Sequence, residues 1–335
     1  MVDLRDARSV LIVLDTPAAG LRSPALELLT LARTLGRTTA VALTEPSAET
    51  LASLSDHGVE RVLVADLGAL DPSVVHLTPV AAEAIEAALV ACRADVVLFT
   101  SSFVNTEAAA RLAASTRSGL VLDVAGVTDD PAQSGLVGAK RVFAGSWDVS
   151  CAVTTPMAVF TVRANAVVQA LAAEPSTVEV ERFAVVPTPA STAATLVDRV
   201  LHEAPVGGSG RPALAEAAYV VAGGRGTLGD FAPVEDLADA LGAAVGATRD
   251  AVDEGWVGHD AQIGQTGVTI APRVYVGAGI SGAPHHRGGM QASGVIIAVN
   301  NDPDSPIFEI ADFGVVGDMA EVLPQAAAEI RRHKG

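Results

Sequence analysis

Short apolar runs alternate with helical stretches along the first part of the chain. The runs are apolar at almost every position, as at residues 9–14 (SVLIVL) and 95–99 (DVVLF), which is typical of strands covered on both faces. The stretches between them have the spacing of amphipathic helices, and Pro24 stands in the first turn of one of them. We predict strands at 9–14, 39–43, 61–65, 95–99 and 119–122, and helices at 23–35, 48–55, 79–92 and 107–114. This alternation predicts a parallel sheet with helices on both faces.

The pattern changes between residues 136 and 186, where strand-like pieces follow one another with few helical signals. We expect these pieces to form an antiparallel extension of the same domain. Residues 205–212 (PVGGSGRP) have the composition of a flexible linker, and the alternation then restarts. It predicts strands at 218–222, 244–247, 274–277, 295–299 and 314–316, and helices at 233–241, 284–292 and 318–331. The sequence therefore predicts two α/β domains with mainly parallel sheets, at residues 1–204 and 205–335.

The composition excludes several classes of protein. Half of the residues (50%) are hydrophobic and 18% are charged, which excludes intrinsic disorder. The apolar residues are spread over short segments, and no segment reaches the roughly 18 consecutive apolar residues of a membrane-spanning helix. We therefore expect a chain that does not span a membrane. The formal net charge of −17 disfavours nucleic acid as a partner, because binding a polyanion needs a basic surface.

The cysteines and the N-terminal residues of the sequence indicate the cellular compartment. Cys92 and Cys151 match no metal-ligand spacing and no redox pair, so we predict no metal site. The segment MVDLRDARSV carries charges where a signal peptide would need an apolar stretch. Both features favour a reducing, cytoplasmic location.

Two glycine-rich segments, residues 224–229 and 277–282, fit the pattern G-x-G-x-x-G between a predicted strand and a predicted helix. Glycines in such a turn let backbone N–H groups approach a phosphate. An ordinary NAD-binding domain would also carry an acidic residue about 20 positions further on, at the end of the next strand. Thr248 and Arg249 stand there after the first segment and Asn300 after the second, so neither match is clean. We expect a dinucleotide, but in a pose other than the standard one of NAD.

Six ordered motifs extend this observation over residues 219–330. They are GGRG (223–226), GATRDAVDEG (246–255), QIGQTG (262–267), GISGAPHHRGGM (279–290), VNNDPDSPIF (299–308) and ADFGVVGD (311–318). With these motifs the second domain resembles the FAD-binding domain of electron-transfer flavoprotein α subunits. The first domain resembles that family more loosely, through its order of elements and pieces such as VFTVRAN. The resemblance implies a Rossmann-like FAD-binding domain at residues 205–335.

The resemblance also implies a set of cofactor contacts. At the phosphate end, Ser281 with the backbone of Gly282 and Ala283 would hold the pyrophosphate, helped by the Thr248 hydroxyl and the charge of Arg225. At the adenosine end, Asn300 and Asp318 would make polar contacts. The remaining residues that the resemblance assigns to the cofactor are Ile263, Gly264, Pro284, His285 and Met319.

The flavin end carries the electron chemistry. In the family, the residues that match Arg249, Gln265, Thr266 and His286 lie near the isoalloxazine ring. A fixed positive charge such as Arg249 would raise the first reduction potential of the flavin relative to the second. His286 would supply a hydrogen bond or a titratable charge, and Gln265 and Thr266 would tune the ring by hydrogen bonding. The chain departs from the family at His285, where Gln is usual, and at Pro284, where an aliphatic residue is common, so the flavin edge could be tuned differently.

Each of these residues also has a simpler interpretation. Arg249 could pair with Asp250 or Asp253 on the surface, and the two histidines could be a solvated helix start. Asp318 is a good N-cap for the last helix, and Asn300 could belong to a turn only. The ordered set of motifs favours the cofactor roles over these readings.

The function implied by the resemblance is that of the α subunit of a heterodimeric electron-transfer flavoprotein. Such a chain would take electrons from flavin dehydrogenases, for example the acyl-CoA dehydrogenases of fatty acid β-oxidation, and deliver them singly to a quinone oxidoreductase. The first domain would contact a β subunit that carries AMP. The sequence contains no G-x-S-x-G, HExxH or Walker A motif, so we expect an electron carrier rather than an enzyme with catalytic residues.

Three alternatives stay open. The chain could belong to an electron-bifurcating flavoprotein that uses NADH, a distinction that depends mainly on the partner chain. It could be an NAD(P)-dependent dehydrogenase that uses one of the glycine-rich turns. It could also be a nucleotide-binding module without catalysis, because the first domain alone would fit a nucleotide-binding fold.

Overall fold

The computed structural model describes residues 8–15, 17–130, 132, 135–143, 145–198 and 210–334. These residues divide into two compact units, one within residues 1–140 and 149–201 and the other within residues 141–148 and 202–335. The boundary that we predict between residues 204 and 205, and most of the predicted linker, lie outside the described residues. Among the described residues, no helix is both long enough and apolar enough to cross a lipid bilayer.

The first unit is built on a seven-stranded sheet whose strands pair in parallel. The strands of this half of the chain are β1 (Arg8–Leu14), β2 (Gly36–Ala42), β3 (Arg61–Asp66), β4 (Val96–Thr100), β5 (Gly119–Val124), β6 (Gly126–Asp130), β7 (Gly135–Val142), β8 (Trp147–Ala152), β9 (Ala158–Val162) and β10 (Glu179–Ala184). The seven follow the order β10-β3-β2-β1-β4-β9-β5, and β6, β7 and β8 form a separate three-stranded sheet. The helices are α1 (Ser23–Leu35), α2 (Ala48–Asp56), α3 (Thr78–Cys92) and α4 (Phe103–Thr116).

The central strand β1 is buried on both faces. Ile12 packs in a core with Leu28 of α1, whereas its neighbour Leu11 packs in a second core with Ile85 of α3 and Leu112 of α4. Successive side chains of a strand point to opposite faces, so an apolar residue is needed at every position. This confirms the parallel, doubly covered sheet predicted from the continuous apolar runs.

The region between residues 136 and 186 corrects one prediction. Strands β6 and β7 pair antiparallel, as expected of an extension. Strand β9, however, lies between β4 and β5, and β10 lies beside β3, all in parallel. An antiparallel extension was therefore wrong for these two strands. All five residues of β9 are buried, which is the environment of an inner strand of a parallel sheet.

The second unit contains a five-stranded sheet with the order β12-β11-β13-β14-β15, parallel throughout. Its strands are β11 (Tyr219–Gly223), β12 (Ala244–Ala247), β13 (Val274–Ala278), β14 (Val295–Asn300) and β15 (Phe313–Val316). Its helices are α5 (Ala232–Leu241), α6 (Arg249–Asp253), α7 (Pro284–Met290) and α8 (Met319–Lys334). The sequence did not predict α6, which has five residues and leaves too little periodicity to detect. Because the strands are parallel, the segments that follow them gather at one edge of the sheet.

Candidate functional site

The two glycine-rich turns pack against each other. The Gly226 N–H donates to the Gly279 carbonyl at 2.9 Å, and a Cβ at Gly226 would lie 2.6 Å from the Gly279 Cα. Gly279 has a φ of +61°, in the left-handed region that favours glycine. Backbone packing inside the unit therefore requires both glycines, and the motif alone does not indicate a phosphate-binding turn of the NAD type.

A cleft of about 300 Å³ lies at the carboxyl edge of this sheet. It is lined by residues that follow β12 and β13 and by the loop that contains residues 263–266. The predicted cofactor residues in its lining are Thr248, Arg249, Ile263, Gly264, Gln265, Thr266, Ser281, Ala283, His285 and His286. The structure thus brings most of the predicted cofactor residues together in one place.

The loop of residues 262–268 is held on both sides. The Ile263 N–H donates to the carbonyl of Ala247 at the end of β12 (2.9 Å), and the Gln265 N–H donates to the carbonyl of His285 on α7 (3.0 Å). Gly289 allows α7 to approach, because a Cβ there would lie 2.4 Å from the Gly264 nitrogen. The position of Gln265 in the cleft is therefore set by both β12 and α7.

His286 is buried, with 6% of its surface exposed. Its Nε2 lies 2.7 Å from the Tyr275 hydroxyl, and its Nδ1 lies 3.2 Å from the Ile263 carbonyl oxygen. Burial lowers the pKa of His286 to about 4, against the smaller opposite effect of the Ile263 carbonyl. The lowered pKa favours a neutral His286 ring at pH 7, so of the two roles that the resemblance implies for it, the structure favours the hydrogen bond over the titratable charge.

The two arginines of the site form ion pairs. Arg249 pairs with Asp253 of the same helix (3.2 Å), which is one of the two surface partners considered from the sequence. Arg225 pairs with Asp250 (3.0 Å), which itself lines the cleft. All four side chains are more than half exposed, and such pairs contribute little free energy. Both guanidinium groups can therefore turn to an anionic ligand at little cost.

Asn300 uses its side-chain amide inside the unit. Its Nδ2 donates to the Ile280 carbonyl (2.9 Å) and to Ser305 Oγ (3.1 Å), and its Oδ1 accepts from the Asp302 N–H (3.0 Å). These bonds fix the turn after β14, which agrees with the simpler interpretation that Asn300 belongs to a turn. Asn300 lies outside the lining of the cleft.

The other predicted cofactor residues outside the cleft lining are Gly282, Pro284, Asp318, Met319 and Arg225. Arg225 is connected to the cleft through its ion pair with Asp250, which is part of the lining. Asp318 Oδ1 accepts from the Ala320 N–H at 2.8 Å, which is the cap of α8. Met319 packs in the core of the unit. A Cβ at Gly282 would lie 2.6 Å from the Ile307 nitrogen, so this glycine is needed for packing.

Comparison with known proteins shows the family to which the chain belongs. A family model described as the electron transfer flavoprotein domain matches residues 10–188, and one described as the electron transfer flavoprotein FAD-binding domain matches residues 213–291. The electron transfer flavoprotein subunit alpha of Mycobacterium leprae (strain TN) is 41% identical over 330 residues, covering 97% of this chain and 99% of the relative. That of Mycobacterium tuberculosis (strain CDC 1551 / Oshkosh) is 40% identical over 337 residues, with the same two shares. The chain belongs to the family of electron transfer flavoprotein α subunits.

FAD is the cofactor of this α-subunit domain, and the residues present fit it. Thr248 Oγ1 is buried at the wall of the cleft without a hydrogen-bond partner in the described structure. A buried hydroxyl without a partner is costly, so a polar group of a ligand is expected next to it. The matched FAD-binding region contains every predicted cofactor residue that lines the cleft.

Sequence reasoning missed two buried residues next to this site. Gln262 is 3% exposed and its Nε2 donates to Thr266 Oγ1 at 3.1 Å. Tyr275 is fully buried and hydrogen bonds to His286. Gln262 opens the QIGQTG motif, so the motif offered a signal for it. Tyr275 stands in an apolar strand, where only its hydroxyl indicated a need for a partner.

Proposed function

We propose that this α subunit holds FAD in the cleft at the carboxyl edge of the five-stranded sheet and serves as an electron carrier. It would take electrons from flavin dehydrogenases, such as acyl-CoA dehydrogenases, and deliver them one at a time to a quinone oxidoreductase. FAD supplies the chemistry when it is bound, because a flavin accepts electrons in pairs or singly. The observation that carries the proposal is the single cleft in which Thr248, Arg249 and the loop of residues 263–266 meet.

The residues of the cleft, together with Arg225, which pairs with Asp250 of its lining, divide into two groups by their chemistry. Thr248 offers an unpartnered buried hydroxyl, and Arg225 and Arg249 offer positive charge, as a pyrophosphate and an electron-rich flavin require. Gln265 and Thr266 are exposed polar side chains on a loop that is fastened from both sides, so they can hydrogen bond to the ring without reorganisation. We assign the phosphate end to Thr248 and Arg225 and the flavin end to the other three.

We propose further that the chain works as a heterodimer with a β subunit that carries AMP. The relatives are named as alpha subunits, which supports a second kind of chain. The described surface also exposes large apolar side chains, among them Phe103 (93% exposed) and Phe143 (79%). Contiguous apolar patches commonly mark the sites where another chain binds, so these side chains are candidate positions for contact with the β subunit.

Co-expression of this chain with the β subunit tests the proposal. We expect a yellow heterodimer whose absorption spectrum shows bound flavin, and whose reduction by dithionite proceeds in two separate one-electron steps. Electrons from a reduced acyl-CoA dehydrogenase should then reach the heterodimer. A colourless heterodimer, or reduction in one two-electron step, would contradict the carrier proposal. Direct oxidation of NADH by the heterodimer would indicate the bifurcating alternative instead.

A further inference from the structure

Gly277, the first glycine of the second glycine-rich segment, leaves space for the ring of Tyr275. A Cβ at Gly277 would lie 2.9 Å from Cε1 of Tyr275, two residues earlier on the same face of β13. The ring of Tyr275 is fully buried in the core with Ile263, Ile280 and Met290. Its hydroxyl is therefore cut off from water and needs a partner inside the unit, and burial raises its pKa above the ordinary value.

That partner is His286, and the contacts of the ring fix its tautomer. The Ile263 carbonyl can only accept a hydrogen bond, so His286 Nδ1 must carry the proton and donate to it. In the neutral ring Nε2 then has a lone pair and accepts from the Tyr275 O–H at 2.7 Å. The result is a directed chain of two hydrogen bonds, from Tyr275 through His286 to Ile263.

This chain ends on the loop that supplies two residues of the cleft. Ile263 is followed directly by Gly264, Gln265 and Thr266. The backbone bonds of this loop come from β12 and α7, whereas Tyr275 belongs to the central strand β13. The side chains of Tyr275 and His286 thus connect the loop to the interior of the sheet.

We propose that Tyr275 is a positioning residue of the flavin site, which through the Nδ1–H tautomer of His286 fixes the Ile263 carbonyl and with it Gln265 and Thr266. His286 is then an uncharged side chain that holds the loop in place by its hydrogen bonds to Tyr275 and Ile263, which we call the brace. The fixed positive charge in the lining of the cleft is that of Arg249. The flavin part of this proposal rests on the proposed function, whereas the tautomer and the bracing do not.

The variant Tyr275→Phe tests the proposal, because it removes the hydroxyl and keeps the ring in its place. The matched control is Tyr219→Phe, which removes the hydroxyl of the other tyrosine of the chain, an exposed residue on β11. All measurements use the heterodimer, first freed of FAD and then reloaded.

In the FAD-free protein, NMR of ¹⁵N-labelled histidine should show His286 as the Nδ1–H tautomer, with its Nε2 resonance moving in Tyr275→Phe. Hydrogen exchange of the amides of residues 263–267 should accelerate about fivefold in Tyr275→Phe, the loss of one hydrogen bond, and stay unchanged in Tyr219→Phe. After reloading, FAD should bind about fivefold more weakly to Tyr275→Phe, and the difference between its two reduction potentials should change.

An Nε2–H tautomer in the wild-type protein overturns the proposal, and so does a Tyr275→Phe variant whose loop exchange matches that of Tyr219→Phe. Both readouts come from FAD-free protein, so they do not depend on the proposed function. If the tautomer and the loop exchange are as expected while no FAD binds to either protein, the brace holds and the proposed function fails. Normal FAD binding and potentials in Tyr275→Phe would refute its role toward the flavin.

Discussion

Gln262 Nε2 donates a hydrogen bond to Thr266 Oγ1 across the turn of the QIGQTG motif, at 3.1 Å. Gln262 is buried, whereas Thr266 is exposed and lines the cleft. Because the Thr266 oxygen accepts this bond, its own O–H proton stays available for a group in the cleft. Gln262 therefore orients the hydroxyl that is proposed to contact the flavin.

The variant Gln262→Leu should weaken FAD binding by about fivefold, the typical effect of losing one hydrogen bond. The reason is that the Thr266 hydroxyl would no longer be held in one orientation. Titration of the FAD-free heterodimer with FAD measures the effect. In a double-mutant cycle, Gln262→Leu should add little to the loss already caused by Thr266→Val. Additive losses would show that Gln262 acts independently of Thr266.

The unpartnered Thr248 hydroxyl gives opposite expectations for stability and binding. Thr248→Val keeps the shape of the side chain and removes a buried hydroxyl that has no partner. The FAD-free protein should therefore gain about 1 kcal/mol of unfolding free energy, while FAD should bind about tenfold more weakly. Urea unfolding and FAD titration provide the two measurements.

Thr227→Val is the control for this substitution. Thr227 is also buried, but its hydroxyl donates to the Gly224 carbonyl at 2.9 Å and accepts from the Gly229 N–H at 3.3 Å. Removing it should lower the unfolding free energy of the FAD-free protein by about 1 kcal/mol. If both variants were destabilised equally, the Thr248 hydroxyl would have a partner in solution.

Arg249 is expected to set the reduction potentials of bound FAD. Arg249→Ala removes the fixed charge, so the first potential should fall relative to the second, and FAD should bind about tenfold more weakly. Asp253→Asn removes the carboxylate that pairs with Arg249 and should shift the potentials in the opposite direction. Spectroscopic redox titration measures both variants. Arg332→Ala, at an exposed ion pair on α8, should leave them unchanged.

Unchanged potentials and FAD content in Arg249→Ala would identify Arg249 as a residue of a surface ion pair only.

His286 is expected to make the second unit sensitive to acid. Its pKa is lowered from 6.5 to about 4 in the folded protein, so the unfolded chain takes up a proton at a higher pH than the folded chain. The contribution of the neutral His286 ring to the free energy of unfolding is therefore complete above about pH 6.5. It is lost as the pH falls toward about 4, by up to about 1.4 kcal/mol per pH unit. The fluorescence of Trp256, which packs in this unit, reports urea unfolding at pH 7 and pH 5.

The difference in unfolding free energy between these two pH values should shrink by about 1–2 kcal/mol in His286→Gln. His285→Gln, at the exposed neighbouring residue, should keep the wild-type difference. An undiminished pH dependence in His286→Gln would show that another group titrates.

The amino-acid sequence by itself determined the secondary structure of both units closely. Strands such as β1 are apolar on both faces, and helices such as α1 carry a proline in the first turn and follow a regular spacing, so each element is defined by neighbours along the chain. The ordered motifs likewise determined the family, because each motif keeps its residue types at fixed spacing. These are local properties of the sequence, so they can be recognised without knowledge of the tertiary structure.

Only the tertiary structure decided where β9 and β10 pair and which polar groups meet. Tyr275 and His286 come together because α7 packs back against β13, and Ala247 and Ile263 come together because the loop of residues 262–268 bonds to the end of β12. A hydrogen bond needs its two atoms within about 3 Å, and no pattern along the chain specifies a distance of that size. The sequence therefore predicted which residues belong to the flavin site, and the packing of β12, β13 and α7 determined which of them line the cleft and how they are arranged.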